Sequence, residues 1–185
     1  WDQSDYDNVN LFGIWNSESG CFPFGGTYHT ANDIQLYEQV TINTISTYYT
    51  SYSFEFASTS EAYLWIGLKS GNLPTTGTDN PSDPNLLVPV TVVQNDAGHN
   101  VLMAENLSIT LAPGEYWVSL TPIAPGGPWG PEYNIASLSN WGDDSAKIEI
   151  CGPNAPEWLV ASPGKDASIL IEGTIDVVAT EEQTW

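Results

Sequence analysis

Residues 106 to 123 read NLSITLAPGEYWVSLTPI. Leu107, Ile109 and Leu111 alternate with Ser108 and Thr110, and Tyr116 to Thr121 alternates again, so each run has the two-residue period of a strand with one face to bury. Between them, Ala112-Pro113-Gly114-Glu115 puts Pro and Gly where a type II turn takes them. The stretch is expected to be a β-hairpin whose strands lie in the core sheets.

The pattern recurs outward in both directions. A short strand is expected around Val9 to Trp15 and a longer one from Thr27 to Tyr37. Val40 to Tyr48 alternates at first, but Ile45 falls out of step with Val40 and Ile42, which suggests a bulge or burial on both faces. Tyr52 to Phe56 alternates again. Ala62 to Leu68, AYLWIGL, is a nearly continuous apolar run of strand length, the mark of a central strand. Lys69 to Pro84 is a polar Gly/Pro-rich loop, and Leu86 to Gln94 should pair with Asn100 to Ala104 across the Asn95-Asp96-Ala97-Gly98 turn. Further strands are expected near Tyr133 to Leu138, Ala146 to Cys151, Trp158 to Val160 and Ala167 to Val178. About ten strands with turns every ten residues or so predict an all-β, two-sheet antiparallel β-sandwich, jelly-roll-like in style. The chain reads as one domain over 1–185, with 1–26 an irregular N-terminal segment and 174–185 a C-terminal extension.

Composition excludes some function classes. The 185 residues carry 23 Asp plus Glu against three Lys (Lys69, Lys147, Lys165) and no Arg, a formal charge of -20. Phosphate backbones are bound by clustered cations, so nucleic acid is excluded as a partner and anionic membrane surfaces are equally disfavoured, and with no run of 18 or more apolar residues no membrane insertion is expected. Such a surface repels itself unless salt or divalent cations screen it. A chain opening at Trp1 suggests proteolytic maturation, most simply signal-peptide removal, so an extracellular or cell-surface location is expected. Cys21 and Cys151 are the only cysteines. In an exported chain they are expected to form a disulfide, contributing roughly 4 to 5 kcal/mol in the chain-entropy view.

Several segments together resemble a group of exported bacterial β-sandwich domains found in secreted and surface-anchored proteins of environmental bacteria. They are WDQSDYDN at the start, YHTANDI at 28–34, TISTYYT at 44–50, LAPGEYWVSLTPI at 111–123 and PGKDASILIEG at 163–173. The resemblance implies an extracellular module and carries over no catalytic residues. That domain usually closes near IEGT, whereas here Thr174 to Trp185, TIDVVATEEQTW, continues.

The residues leave three functional classes to weigh. For an enzyme, His29 and His99 are the only imidazoles, and neither sits in a nucleophile motif or a metal-ligand spacing, so both are read as structural and no catalysis is expected. For a ligand module, clustered carboxylates at Asp2, Asp5 and Asp7, at Asp79 and Asp83, and at Asp143 and Asp144 are candidate calcium ligands, although no cofactor is required. Loop tryptophans Trp129 and Trp141 would suit stacking on polysaccharide, with Trp65, Trp117 and Trp158 as core. For a structural protein, the β-prone Thr174 to Ala179 and the aromatic ends Trp1 and Trp185 are candidate contacts with copies of the same chain, through strand addition or an aromatic plug. Extracellular self-association into a filament or surface assembly through the terminal segments is the leading expectation. A carbohydrate-binding or adhesive module, with calcium, is the alternative.

Overall fold

The computed structural model describes residues 1–3, 13–15, 17–18, 27–50, 58–75, 84–94, 99–123, 133–135, 137, 142, 146–149, 157–161, 163–164 and 166–175. Among these, fifteen segments are strands, nine of them four residues or longer, and helical geometry is confined to short 3-10 turns, at Ser58 and at Pro84–Leu86. They form two antiparallel sheets facing each other, the expected β-sandwich.

The first sheet holds β1 (Asp2–Gln3), β2 (Gly13–Trp15), β5 (Val40–Thr50), β8 (Thr91–Gln94), β9 (Asn100–Ala104), β10 (Ile109–Leu111), β12 (Tyr133–Ile135) and β15 (Ile169–Ile175). The second is ordered β14 (Glu157–Val160), β13 (Ala146–Glu149), β4 (Thr27–Leu36), β11 (Gly114–Pro122), β6 (Glu61–Leu68), β7 (Leu87–Pro89), with β3 (Ser17–Glu18) beside β4. Beyond β3 the chain repeatedly changes sheet, from β4 to β5, back to β6, over again at β8 and back at β11, which is jelly-roll-like wrapping. Tyr52 to Phe56 lies outside the described residues.

The sandwich core is read directly from period two. Ile34 from β4, Leu64 from β6, and Tyr116, Val118 and Leu120 from β11 meet Ile42, Ile45 and Tyr49 from β5, Leu102 from β9, and Ile169 and Ile171 from β15. Two polar bridges tie the sheets. The Tyr49 hydroxyl donates to the Leu120 carbonyl at 3.2 Å, and the Asn32 carboxamide both donates to the Ala167 carbonyl and accepts from the Ala167 amide at 3.1 Å. Each gives buried polar groups a hydrogen-bond partner on the facing sheet or the segment leading into it.

The expected bulge in β5 is present. On one side β15 slips register between Glu172 and Gly173, moving its partner from Thr44 to Ile42. On the other, the four residues 105–108 face two, 43–44, between the β9 and β10 ladders. Asn106 takes a left-handed turn there (φ 56°), and Asn43 holds the loop, its carbonyl accepting from the Leu107 amide at 2.9 Å. The bulge lets Ile42 and Ile45, of opposite parity, both face the core.

The 106–123 stretch is two strands but not a hairpin. β10 pairs with β5 in one sheet, and β11 pairs with β4 and β6 in the other. Ala112 and Pro113 therefore arch across the sandwich, and the Tyr116 hydroxyl, donating to the Ala112 carbonyl at 2.9 Å, braces the arch. Gly114 is not in the positive-φ region a type II turn demands of it; it is the first residue of β11, opposite Leu36. Alternation fixes which face of a strand is apolar and is silent on which neighbour it pairs with. The expected strand from Leu86 to Gln94 is likewise divided at Val90, buried between β7 on β6 and β8 on β9. The pairing of β8 with β9 is as expected.

Candidate functional site

Of the residues singled out in the sequence, the structure describes only Trp1, Asp2, His29, His99, Trp65, Trp117 and Trp158, together with Thr174 and Ile175 of the extension. Cys21, Cys151, Asp5, Asp7, Asp79, Asp83, Trp129, Asp143, Asp144, Trp141 and Trp185 lie outside the described residues, as does 176–179. Asp2 is exposed and opposite Leu170. Among the described residues no three of His, Cys, Asp and Glu gather at one point. Trp65, Trp117 and Trp158 are buried, as a core role requires.

Two places combine unusual chemistry with defined geometry. The first is the outer edge of β15. Trp1 and Ile171 exchange backbone hydrogen bonds, nitrogen to carbonyl at 3.0 and 2.9 Å, and β1 continues that pairing at Asp2 and Gln3. Beyond Ile171, residues Glu172 to Ile175 pair only inward, with β5, among the described residues. Beside this open edge is a cleft of about 460 Å³ lined by Trp1, Leu36, Val40, Ile42 and Ile175. Ile175 is 58% exposed, a large apolar side chain at a strand edge. Thr174 and Ile175 of the extension are thus strand partners of Thr41 and Val40 within their own sandwich.

The second place is the outer face of the β4–β11–β6 sheet, where buried polar and aromatic side chains replace the solvated face usual in a sandwich. His29 and Asp33 of β4, Trp117, Ser119 and Thr121 of β11, and Tyr63 and Trp65 of β6 share this face by parity and register. Trp158 of β14 stacks on Trp65 with centroids 5.6 Å apart. In a flat sheet strands four places apart would be about 19 Å distant. The β13–β14 ribbon must therefore curl over the outer face, which explains why Trp117 and Ala31 are as buried as core residues.

Within this layer Lys69, just past β6, lays its side chain across the Trp117 ring, Nζ 5.3 Å from the centroid, and contacts Asp33 Oδ2. Its Nζ is also 3.9 Å from Glu115 Oε2. The Asp33 side chain is 0% exposed and that of Lys69 8%, while Glu115 is 49% exposed and open to water. Gly142 roofs Asp33, with φ +68°. A Cβ there would collide with Asp33 Oδ2 and lie 3.0 Å from its Cγ, so only glycine fits. The sequence offered two faint signals for this pair: an Asp inside a strand, where Asp is depleted, and a rare Lys closing an apolar run.

His29 belongs to the same layer, its Nδ1 2.9 Å from Thr121 Oγ1 and its ring edge-on to Tyr63. Burial disfavours its cation and lowers its pKa from 6.5 to about 3. Between those values the unfolded chain binds a proton that the folded chain does not, so stability falls as pH drops from 6.5 towards 3, by about 1.4 kcal/mol per unit from this group. Urea unfolding from pH 7 to pH 4 is expected to show a shallower pH slope for His29→Gln than for the parent, by about one proton; equal slopes would contradict a neutral buried imidazole.

A scan against protein-family models, a search of curated proteins and a search of solved structures each found no match to this chain.

Proposed function

We propose that this chain is an extracellular structural protein that self-associates through its terminal segments, the β15 edge of one copy accepting the segment from Asp176 to Trp185 of another. The observation that carries the reading is the outer edge at Glu172 to Ile175, which has no strand partner among the described residues, beside the cleft of Trp1, Leu36, Val40, Ile42 and Ile175. An unpaired edge supplies a row of backbone donors and acceptors for an added strand, and an adjoining cleft of mixed polar and aliphatic lining supplies a seat for an alternate side chain. The donor stretch begins DVVAT and ends in Trp185, a β-prone run with an aromatic of a size suited to such a cleft. Because donor and acceptor differ, the contact is heterologous, and its repetition gives an open filament when the rotation between copies does not close into a ring.

A chain of charge -20 associates only where that charge is screened. Sedimentation velocity is therefore expected to show species larger than the monomer that grow with protein concentration and with salt. Ile175→Lys, a cation placed on the exposed edge, is expected to restore the monomer while changing stability by no more than about 0.5 kcal/mol. A monomer at every concentration and salt level would overturn the reading.

A further inference from the structure

We propose that Lys69 and Asp33 are a modification site at which the chain forms an internal amide bond between Lys69 Nζ and Asp33 Cγ, with Glu115 as the proton relay. The two side chains are in direct contact, almost wholly removed from water, over the Trp117 ring and beneath Gly142. Amine and carboxylic acid do not condense in water because hydration holds both as ions, and burial withdraws that hydration. A proton passing from the ammonium to the carboxylate within the contact leaves a neutral amine against a neutral acid. Fixed contact of this kind is equivalent to an effective concentration on the order of 10⁵ M or more.

The atoms balance without any co-reactant. The Nζ lone pair attacks Cγ, forming the N–C bond and moving the carbonyl electron pair onto oxygen. Glu115 takes the proton that the nitrogen must lose and returns it to the hydroxyl on Cγ. The C–O bond then breaks with its electron pair, one water leaves, the carbonyl re-forms and Glu115 is unchanged. Glu115 is placed for this, 3.9 Å from Nζ, on the same face of β11 as Trp117 and diagonal to Asp33 across the β4–β11 pair, with its other side open to solvent. The bond would tie β4 to the end of β6 across the intervening β11, closing three strands into a covalent brace. Its existence does not depend on self-association.

The test is the mass of the intact chain. The purified parent is expected to be lighter than its sequence by one water, beyond any loss of hydrogen from cysteine oxidation. Trypsin supplies an independent readout, since the chain has no Arg and cleavage sites only at Lys69, Lys147 and Lys165. After denaturation and reduction, an amidated Lys69 resists cleavage and leaves 1–147 intact; a free Lys69 yields 1–69 and 70–147. Lys69→Arg keeps the charge but forms no such amide, and is expected at full mass with cleavage after position 69. Glu115→Gln is expected to fold and to retain the water. A folded parent at full mass that trypsin divides at Lys69 would overturn the bond, and a Glu115→Gln chain that loses water as completely as the parent would overturn the role given to Glu115.

Discussion

Trp117→Ala is expected to reduce the free energy of unfolding by about 3 to 5 kcal/mol, the range for emptying a large aromatic site in a core. Since a domain of this kind is stable by about 5 to 15 kcal/mol in all, that single change removes a third or more of what holds it together. Two observations put Trp117 at the top of the scale. It is 1% exposed although it points away from the sandwich core, and it packs in a cluster with Ala31, Trp65, Ala146 and Trp158, drawn from four different strands, so no single neighbour can move in to fill the space. Its ring is also the surface under Lys69, and removing it admits water to a charged contact that the fold otherwise keeps dry. Trp117→Phe separates packing from polar effects. The indole Nε1 has no hydrogen-bond partner among the described residues, so losing the donor is free of penalty and the change should remove only part of the packing, about 1 to 2 kcal/mol. Chemical denaturation of the two variants measures the difference; equal losses would mean that the ring is not the keystone of the outer layer.

What the sequence made legible, and what it did not, divides along the reach of the signal. Period two in a window of five residues reveals a strand and its apolar face, and on that basis Leu107, Ile109 and Leu111 share one face, which packs against the core. The slip of parity between Ile42 and Ile45 pointed to a bulge or to burial on both faces, and the register with β15 shows the bulge. Partner choice is set by interactions between residues far apart in the chain, and no local pattern encodes it; hence Leu111 and Gly114, three positions apart, proved to belong to opposite sheets. The outer layer was hidden for the same reason. Asp33 and Lys69 are 36 residues apart and meet only because β11 threads between β4 and β6. Glu115 looked like a turn residue until the turn became an arch. The open edge of β15 was visible as a β-prone terminus, but which of its residues serve its own sandwich depended on the register with β5.

That register rests on one glycine, and Gly173→Val is expected to destroy it. A Cβ on residue 173 would collide with the Thr41 carbonyl oxygen and stand 3.0 Å from Ile42 Cα and the Thr41 carbonyl carbon. These are backbone atoms of the paired strand, so no rotamer change relieves the clash, and the strand must leave. Overpacking relieved by side-chain adjustment costs about 1 to 3 kcal/mol, and this case should reach about 3 kcal/mol or more because Ile42, a fully buried member of the core, sits on the displaced segment. The loss should be local in pattern. Amides of Gly173 to Ile175 that bond to Val40 to Ile42 are expected to lose protection from hydrogen exchange, while those of Tyr116 to Leu120, between β4 and β6, keep theirs, and Val40 to Ile42 stay paired with β10 on their other side. Glu172→Val, an exposed neighbour on the same strand, is the control and should change stability by no more than about 0.5 kcal/mol. The same variant bears on assembly, because a strand that has come away from β5 at residues 173–175 no longer presents the acceptor edge beside Trp1. Gly173→Val should then sediment as a monomer at salt concentrations where the parent associates. Association that survives in a chain whose Gly173 to Ile175 amides exchange freely would place the acceptor somewhere other than β15.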